Sequence, residues 1–438
     1  MLQVQRHFHP GSPLLIALCK ESRNLYNRCN FLMRKSWFDN VAAKKKDPAT
    51  KWTPQPDLPV LVNELKDLDC FKQLHNSKTA KQTIRKCITD WSNFRAALTA
   101  FKKNPEVFLN RPKPPYYKKN VAQVIFYNET LRGGQMNRPL DRLTATNDCF
   151  SLPWDGRDYR QVVVTPKHFG FMIEVQYDSK DKPRRKRKEK RQARKRMSKD
   201  RQCNIDIGLN NLCAITLVQQ RPTGTSLMAS PILVNGRILK SVNQWYNKSL
   251  SKQMSNGAKA PSKRILRKRY FRIENYFHHV SKMIVGLCLK HGIPKVVIGK
   301  NDGWKQRLNL GRRTNQKFCS MPFYLLLEKI KYKAALEGIE VLFTEEAYTS
   351  KASYFDLDPI PKWEKDMKPP KFSGHRKYRG LYLTSDGYAV NADVNGSLNI
   401  GRKIVGTTNA IPESVARPIG DRSLAARPAI VNPLTVQR

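Results

Sequence analysis

The chain has 438 residues, enough for two or three domains, and 40% of them are hydrophobic, so it can bury cores and is not globally disordered. Its 81 Lys and Arg against 35 Asp and Glu give a formal net charge of +46, which predicts a polyanionic partner. An anionic membrane surface is the alternative partner, but no basic helix with a clean apolar face stands out, and the apolar stretch 14–19 is too short to span a bilayer. We therefore expect a soluble protein of the cytoplasm, associated with the nucleoid in a prokaryote or nuclear in a eukaryote.

The beginning of the chain predicts a strand followed by a helix. Residues 1–10 form an apolar-alternating run that ends at Pro10. Ser12 and Pro13 then form a typical helix N-cap and first-turn pair, which opens a helix with apolar residues through Tyr26. The following segment, residues 39–58, is polar and contains prolines, so we expect a loop there.

Helical spacing returns in residues 59–104 and is replaced by short β-type runs in residues 105–178. The spacing of these runs predicts a small antiparallel barrel or sandwich. The clearest runs are 121–127, 149–152, 161–164 and 171–177.

A dense basic run follows in residues 183–196, which hold ten Lys and Arg and one acid, Glu189. One interpretation is a solvated, charged linker or helix. The other is an interaction arm for nucleic acid, which is common for runs of this density. The rest of the chain is also basic, so the run does not explain the net charge by itself.

From residue 202 onward the pattern predicts alternating strands and helices. A hairpin is expected over 203–218 with its turn at Asn210 and Asn211, and Gly338 stands where a helix C-terminal glycine belongs. The other predicted elements are a basic helix over 262–291, a buried strand over 295–298, a helix over 323–337, a strand over 339–344, a helix from Asp393 and a peripheral tail after 405.

No two of the nine cysteines form a Cys-x-x-Cys pair. Their spacing argues against a disulfide framework and against a cysteine-rich zinc site, so we expect reduced cysteines in the core. The cysteines stand at positions 19, 29, 70, 87, 149, 203, 213, 288 and 319.

Two aspartates are the most informative residues of the chain. Asp206 lies in the context IDIGLNN and Asp393 in ADVNGSLNI, and the elements predicted between them can bring both carboxylates to one sheet. Carboxylates that meet beside bound phosphates usually coordinate Mg²⁺, whose charge assists phosphodiester cleavage. A turn or cap role is the alternative for any single aspartate at a strand end.

At these motifs the chain resembles the RuvC-like nuclease domain of TnpB, the transposon-associated RNA-guided nucleases related to compact type V CRISPR effectors. The resemblance covers about 202–402, where Asp206 matches the first catalytic motif, Asp393 matches the third, and Tyr348-Thr349-Ser350-Lys351 matches a further family segment. The N-terminal half matches the family only in the order of its elements.

The resemblance implies an α+β multidomain fold. An N-terminal β-barrel (wedge) would carry a helical insertion, and the C-terminal part would be an RNase H-like (RuvC) α/β domain. The implied domains are 1–10 with 105–180 for the wedge-like barrel, 11–104 for the helical recognition insertion, 181–201 for a basic linker, 202–348 with 388–404 for the RuvC-like domain, 349–387 for a degenerate zinc-ribbon-like insertion and 405–438 for the tail.

The chain departs from the family at the second catalytic motif. The usual strand ends in Glu-Asp-Leu, whereas here it ends in Gly299, which has no side chain to coordinate a cation. Asp302 lies nearby but within a turn-like sequence. A better replacement stands at the end of the next strand, where Glu346 is favoured over Glu345 because of its offset from Tyr348.

The second departure is the zinc ribbon. All four ligand positions lack cysteine: they are Ser353, Asp356, Leu383 and Asp386. We therefore expect no zinc and a loop that is held by packing. The side chains available for that packing are Phe355, Trp363, Tyr378, Leu381 and Tyr382.

The family implies a metal-dependent DNA endonuclease with a guide RNA and a double-stranded DNA target as partners. Asp206 would bridge two Mg²⁺ ions roughly 4 Å apart, with Glu346 (or Glu345) and Asp393 completing their shells. Asn395 and Asn399 would orient ligands or contact the nucleic-acid strand, with cap and turn roles as the alternatives. Nucleic-acid phosphates would be bound by the basic run and the basic helix, through Arg184, Arg185, Lys186, Arg187, Lys188, Arg264, Arg267, Lys268, Arg269 and Arg272.

Two other functions remain open on the sequence. The chain can be a guided DNA-binding protein that no longer cuts, which the missing usual glutamate and zinc ligands suggest. It can also be a nuclease or transposase that acts without a guide. Trp91, Trp245 and Trp304 are candidates for stacking on bases, with core packing as the alternative for each.

Overall fold

The computed structural model describes most of the chain, and its backbone divides into two compact units, Met1–Lys182 and Pro183–Arg438. The division falls at the start of the segment predicted as a basic linker. The described residues are 2–74, 76–108, 110–127, 131–132, 142–145, 148–154, 158–178, 192, 196–222, 224–300, 315, 319–362, 368, 370–405, 418–419 and 423–435.

The N-terminal unit begins with a strand, continues with helices and ends with strands. The elements are β1 (Leu2–His9), α1 (Pro13–Lys46), α2 (Leu58–Leu65), α3 (Asp69–Lys72), α4 (Ser77–Lys103), a 3-10 turn (Pro105–Val107), β2 (Val124–Tyr127), β3 (Leu131–Arg132), β4 (Arg142–Ala145), β5 (Ser151–Pro153), β6 (Gln161–Lys167) and β7 (Gly170–Asp178).

The helices of this unit are inserted between two strands of one antiparallel sheet, whose order is β1-β7-β6-β2. β1 pairs with β7 along its whole length, from Leu2 opposite Asp178 to His9 opposite Phe171. A second small sheet has the order β3-β4-β5. Neither sheet closes on itself in the described residues, so the predicted closed barrel is replaced there by two open sheets.

Helix α1 is longer than the sequence predicts, since it continues to Lys46 into the expected loop 39–58. Ala42, Ala43 and three lysines favour this extension, because alanine has the highest helix propensity and positive charge is stabilising at a helix C-terminus. The predicted start is confirmed by Ser12, whose side chain accepts a hydrogen bond from the Leu15 backbone N–H.

One hydrophobic core joins the helices and strands of the N-terminal unit. Leu15 and Leu25 of α1, Trp91 of α4 and Ile173 of β7 are fully buried in it. The indole N–H of Trp91 donates to Asn30 Oδ1 at 2.8 Å, so this tryptophan serves the core and is not available to stack on bases.

The C-terminal unit alternates strands and helices as the sequence predicts. Its elements are β8 (Arg201–Ile207), β9 (Asn211–Arg221), β10 (Gly224–Leu227), β11 (Ile232–Asn235), α5 (Arg237–Ser255), α6 (Lys263–Lys290), β12 (Lys295–Gly299), α7 (Phe323–Glu337), β13 (Glu340–Thr344), β14 (His375–Tyr378), β15 (Leu381–Leu383), β16 (Ala389–Asn391), α8 (Ala392–Val405), β17 (Pro418–Ile419), α9 (Ser423–Ala426) and β18 (Ala429–Val431).

The large sheet of this unit is mixed. Its order is β13-β12-β8-β9-β10-β17, with β11 pairing with both β9 and β18. β8 runs antiparallel to β9 and parallel to β12, which in turn runs parallel to β13. β8 is therefore an interior strand with a neighbour on each side, whereas β13 lies at the end of the described sheet.

Two cores cover the two faces of this sheet. On one face, Cys203, Ile205 and Ile207 of β8 pack with side chains of α6 and α7. On the other face, Ala214 and Val218 of β9 pack with Val394 and Leu398 of α8. This arrangement gives three layers, with helices on both sides of a mixed sheet. Gly338 ends α7 in the left-handed region with φ of 78°, as expected for a C-terminal glycine.

Among the described residues, no helix has the length and apolarity that crossing a membrane would require. The cysteines are free thiols; eight are buried and Cys319 is exposed.

Candidate active site

The polar face of β8 forms the floor of the site. Strand alternation points Gln202, Asn204 and Asp206 away from the apolar core and toward helix α8. The helix can lie close because it carries glycine above two of these residues. A Cβ atom on residue 396 would lie 2.7 Å from Asp206 Oδ2, and a Cβ atom on residue 401 would lie 2.3 Å from Asn204 Nδ2.

Hydrogen bonds fix this contact between β8, β9 and α8. Ser397 Oγ donates to the Asn204 carbonyl at 3.0 Å and lies 3.0 Å from Thr216 Oγ1. Gln202 Nε2 donates to the Gly401 carbonyl at 3.2 Å. All of these side chains are buried, so the network satisfies polar groups that would otherwise destabilise the interior. Asp206 is thereby held at the end of a rigid strand.

Asp393 lies in the first turn of α8, where the helix dipole favours a negative charge. Asn391 caps this helix, since its Oδ1 accepts from the backbone N–H groups of Asp393 at 3.0 Å and Val394 at 3.2 Å. The Asp393 carboxylate accepts two further bonds, from Asn211 Nδ2 at 2.7 Å and from the Arg376 guanidinium at 3.0 Å.

Glu346 reaches the same region from the loop after β13. Its side chain lies over Gly299, the last residue of β12: a Cβ atom on residue 299 would be 2.7 Å from Glu346 Cγ and 2.8 Å from Oε1. Only glycine at position 299 leaves this space open. Gly299, which has no side chain to coordinate a cation, thus leaves room for the Glu346 carboxylate from the loop after β13.

Glu345 points elsewhere. Its Oε1 accepts a hydrogen bond from Lys403 Nζ at 2.8 Å, and the lysine side chain is only 7% exposed. Since this ion pair engages Glu345, the geometry favours Glu346 as the partner of Asp206.

The Tyr348–Lys351 segment anchors Glu346 to α8. Thr349 Oγ1 donates to the Glu346 carbonyl at 2.9 Å, and Asn399 Nδ2 donates to the Thr349 carbonyl at 2.9 Å. Asn395 Nδ2 donates to the Ala352 carbonyl at 2.8 Å. The two asparagines therefore bind the backbone of this segment, a role different from the caps and ligand-orienting groups that the sequence suggested.

The site concentrates negative charge. Burial, followed by the charge of Asp393, raises the pKa of Asp206 to about 7, while Arg376 and the Ile207 backbone N–H act in the opposite direction. Burial, followed by the charge of Asp206, raises the pKa of Glu346 to about 8. Asp206 thus interacts electrostatically with both of the other carboxylates, and a bound cation would relieve the repulsion.

The donor set fits a hard divalent cation, because all three predicted side chains offer carboxylate oxygens. In the part of the chain that the structure describes, however, no three His, Cys, Asp or Glu side chains are grouped closely enough to hold an ion together. Asp393 instead pairs with Arg376, and both side chains are partly exposed, at 30% and 38%. Such a pair contributes at most about 1 kcal/mol, so Asp393 can exchange it for an ion.

Arg376 is the site residue that sequence reasoning missed. It lies on β14, within the zinc-ribbon-like insertion, and also donates to the Arg379 carbonyl. No local motif distinguishes it from the other basic residues of the chain. Its approach to Asp393 depends on the pairing of β14, β15 and β16, which brings the insertion back to the start of α8.

Hydrogen bonds to two carboxylates connect parts of the insertion, and one of them, Asp356, stands at a predicted zinc-ligand position. Asp356 accepts from the Ser385 backbone N–H at 2.9 Å and from Ser385 Oγ at 2.8 Å. Asp358, which is buried, accepts from the Ser353 backbone N–H at 2.7 Å and from Ser373 Oγ at 2.6 Å. Asp356 thereby connects the two ends of the insertion, and Asp358 connects its beginning to Ser373.

Packing contributes less than the sequence predicted. Tyr382 and Phe355 are buried in the core beside α8, as expected. Tyr378 is 66% exposed and does not close the insertion, because the short strand β14 turns its side chain toward solvent. Trp363 lies outside the described residues.

The basic helix α6 presents most of its predicted cations to solvent: Arg264, Arg267, Lys268 and Arg272 are exposed. Arg269 differs, since its guanidinium donates to Asn243 Oδ1 at 2.8 Å and to the Ser320 carbonyl at 2.7 Å.

The hydrogen bonds of Arg269 to Asn243 and Ser320 give it a structural role.

Trp245 is flanked by Lys268 and Arg272 at 5.3 and 5.1 Å from its ring centroid, so cations occupy the ring that was a candidate for stacking.

Other predicted residues fall outside the part of the chain that the structure describes, so the predictions on them stay predictions. They are Arg184, Arg185, Lys186, Arg187 and Lys188 of the basic run, together with Asp302 and Trp304.

Comparison with known proteins finds a family match within the C-terminal unit. Residues 323–400 match the family model for the TNB domain of Cas12f1-like proteins. The match spans less than a fifth of the chain, but it contains Glu346, Arg376 and Asp393. No curated protein matches the chain.

Several solved structures are similar over most of the chain. The Cas12f1 protein of a Cas12f1–sgRNA–target DNA complex is 12% identical, with 91% of this chain and 98% of that chain covered and a TM-score of 0.35. The protein of a CRISPR-Cas12f ternary complex is 13% identical, covering 87% and 80%, with a TM-score of 0.31. C2c1 of Alicyclobacillus acidoterrestris with single-guide RNA is 9% identical, covering 89% and 69%, with a TM-score of 0.33. At such low identities and TM-scores, the likeness carries no argument by itself about the chemistry of this chain.

Proposed function

We propose that the chain is an RNA-guided DNA endonuclease with a RuvC-like active site formed by Asp206, Glu346 and Asp393. The observation that carries this proposal is the entry of Glu346 into the space above Gly299. A lost acid at one strand end and a new acid that fills the same space on the next strand are expected of a site under pressure to keep three carboxylates. A protein that had stopped cutting would have no need of the acid that enters from the next strand.

Each carboxylate has a distinct task in this proposal. Asp206, on the rigid strand β8, would hold cations between the other two acids, with Glu346 and Asp393 on either side. Two Mg²⁺ ions held there would supply the positive charge and the acidified water that phosphodiester hydrolysis requires. Arg376 can neutralise Asp393 while no cation is present, and its guanidinium can bind a phosphate oxygen when Asp393 turns to the cation.

The charge of the chain supports the partners in this proposal. The similar solved structures include complexes with single-guide RNA and target DNA. A net charge of +46 and the exposed cations of α6 provide the phosphate contacts that a bound heteroduplex needs. We infer that base pairing with a bound RNA selects the DNA target, while the protein contacts the sugar-phosphate backbone.

The test begins with the RNA that copurifies with the full chain. Sequencing that RNA should yield a defined species with a variable segment. DNA that matches this segment is then incubated with the complex in Mg²⁺ or in chelator. We expect cleavage in Mg²⁺ only, and a loss of about a thousandfold in Asp206→Ala, equivalent to roughly 4 kcal/mol of transition-state stabilisation. Asp67→Ala, an exposed aspartate of the N-terminal unit, is the control that should cleave normally.

The outcomes separate the three functions that the sequence leaves open. Guided binding of matched DNA without cleavage by the wild type would identify a binding protein that no longer cuts. Cleavage that needs no RNA would identify a nuclease or transposase without a guide. If matched DNA is neither bound nor cut, the proposal is wrong.

A further inference from the structure

Helix α1 and the segment after α4 together present an aromatic face in the N-terminal unit. We define this aromatic face as Phe31, Arg34, Phe38, Tyr116 and Tyr117. The exposed fractions of its four aromatic residues are 53% for Phe31, 45% for Phe38, 67% for Tyr116 and 45% for Tyr117. Phe31, Arg34 and Phe38 follow one another at helical spacings of three and four, so they share the side of α1 opposite its buried residues.

The face is preformed. The proline-containing segment 110–120 is fastened to α1 through polar bonds: Asn30 Nδ2 and Arg34 Nη1 donate to the Pro115 carbonyl at 3.2 and 2.8 Å. Asn27 exchanges two bonds with Lys118, at 3.0 and 2.7 Å. Because these bonds hold the tyrosines in place before any ligand arrives, binding would require little ordering of the segment.

Arg34 connects the rings. Its guanidinium carbon lies 5.2 Å from the centroid of Phe38 and 5.5 Å from that of Tyr117, within the range of cation–π contacts. The surroundings are basic, since segment 110–120 contains Arg111, Lys113, Lys118 and Lys119 and no acid. Exposed rings with an arginine plane between them and lysines beside them are the features with which proteins stack unpaired bases while binding the phosphates.

Charge decides against the obvious protein partner. A second copy of this chain would carry the same net charge of +46. In a dimer formed through this face, the basic segment 110–120 of one copy would lie against a basic surface of the other, and like charges repel. A duplex is also a poor partner, because its bases are already stacked inside. In a single-stranded nucleic acid, the unpaired bases can stack on the rings and the phosphates can bind the cations.

We propose that this aromatic face binds an unpaired segment of the RNA that the protein carries. The choice of RNA over single-stranded DNA rests on the proposed function, in which the RNA is bound throughout and a free DNA strand exists only after target opening. Exposed apolar patches favour association and aggregation, so an occupant that is always present suits four exposed rings better than a transient one.

The experiment measures binding without cleavage. The full chain is freed of copurified RNA and titrated, in chelator, with a fluorescent oligouridine of about 12 nucleotides, within the usual range of single-strand sites. Tyr116→Ala with Tyr117→Ala should weaken binding roughly tenfold or more, since each stacked base contributes a comparable factor. Tyr116→Phe with Tyr117→Phe keeps the rings and should bind as the wild type does. Tyr324→Ala removes another tyrosine with 65% exposure, on α7, and is the matched control.

Salt dependence separates stacking from charge. The alanine pair should lower affinity without changing the slope of log K against log salt, whereas replacing the exposed Lys119 by alanine should reduce that slope by about one phosphate contact. The same titration with an oligothymidine of equal length measures binding of single-stranded DNA. Sedimentation of the free protein measures its oligomeric state.

Three results would overturn the proposal. Unchanged RNA affinity in the alanine pair, or an equal loss in Tyr324→Ala, would exclude this face as an RNA site. A loss confined to oligothymidine would assign the face to single-stranded DNA instead. A wild-type oligomer that the alanine pair abolishes, with RNA affinity unchanged, would identify a self-association surface. None of these readouts depends on cleavage, so this proposal and the proposed nuclease can fail separately.

Discussion

The C-terminal unit holds two of its acidic side chains in very different ways. Asp206 projects from an interior strand that is paired on both sides and packed beneath the glycines of α8. Glu346 projects from a loop that follows the last strand of the described sheet, and its position depends on an empty space at Gly299 and on bonds through Thr349. A strand-borne carboxylate is fixed by the sheet itself. A loop-borne one is fixed by neighbours that can be changed individually, which makes the comparison testable.

The largest effect is expected at Glu346 itself. Glu346→Gln keeps the shape but removes the charge, so cleavage of guided DNA should fall about a thousandfold, as for Asp206→Ala. Glu345→Gln loses only the ion pair with Lys403 and should stay within a few-fold of wild type. Single-turnover cleavage rates decide between them. A larger loss in Glu345→Gln would reverse the assignment of the second acid.

The next effect concerns the space at Gly299. Gly299→Ala places a Cβ atom 2.7 Å from Glu346 Cγ and 2.6 Å from Ile400 Cδ1, so the glutamate must move. We expect cleavage to slow by about tenfold to a hundredfold, as small displacements of catalytic groups do, with RNA binding unchanged. Gly380→Ala, where a Cβ atom meets nothing within 4 Å, is the control. Normal cleavage by Gly299→Ala would show that the space is not needed.

A smaller effect is expected where the loop is tied to α8. Thr349→Val removes the hydroxyl that donates to the Glu346 carbonyl, and Thr349→Ser keeps it. One lost hydrogen bond of about 1 kcal/mol predicts roughly fivefold slower cleavage for valine and near-normal rates for serine. The measurement should show the change in kcat rather than in KM, since the bond positions a catalytic group. Equal rates for valine and serine would mean that the loop holds Glu346 without this bond.

The smallest effect is a pH-dependent difference in stability. The pKa values of Asp206 and Glu346 rise from ordinary values of 3.8 and 4.5 to about 7 and 8, so the folded chain binds these protons more tightly than the unfolded chain. That stabilisation is complete below about pH 4 and is lost as the pH rises through 7–8. In chelator, Asp206→Asn should therefore melt a few degrees above wild type at pH 8 and at about the same temperature at pH 4.

Mg²⁺ should reverse this order at pH 8, because it stabilises only the chain that binds it. Melting curves of both proteins, with and without the ion, provide the measurement. An Asp206→Asn variant that is no more stable than wild type in chelator at pH 8 would contradict the electrostatic account of the site.

Much of the C-terminal unit follows from local sequence. Gly338 after α7 marks an end that the structure reproduces, because caps depend on a few neighbouring residues. The positions of Asp206 on a strand and of Asp393 at the start of a helix also follow from the local sequence. The closed N-terminal barrel that the sequence predicted is two open sheets in the described residues, because strand pairing across the helical insertion is a long-range property that local patterns do not fix.

The rest of the site depends on contacts between distant segments. The space at Gly299 becomes meaningful only when β12 and β13 are aligned, with Gly299 opposite Thr344. Arg376 reaches Asp393 through the pairing of three short strands, which no local pattern fixes. Packing by Tyr378 was expected from its residue type and is wrong because side-chain direction depends on the register of a short strand.

The hydrogen bonds of Asp356 and Asp358 determine which conditions can loosen the insertion. Burial raises the pKa of Asp356, but hydrogen bonds from Ser353 and Ser385 outweigh it and keep that pKa below its ordinary value of 3.8. A thiolate clamp on zinc is lost to chelators and to oxidants. Carboxylate hydrogen bonds depend on neither metal nor thiols, so the connections made by Asp356 and Asp358 would persist where metal is scarce or thiols are oxidised.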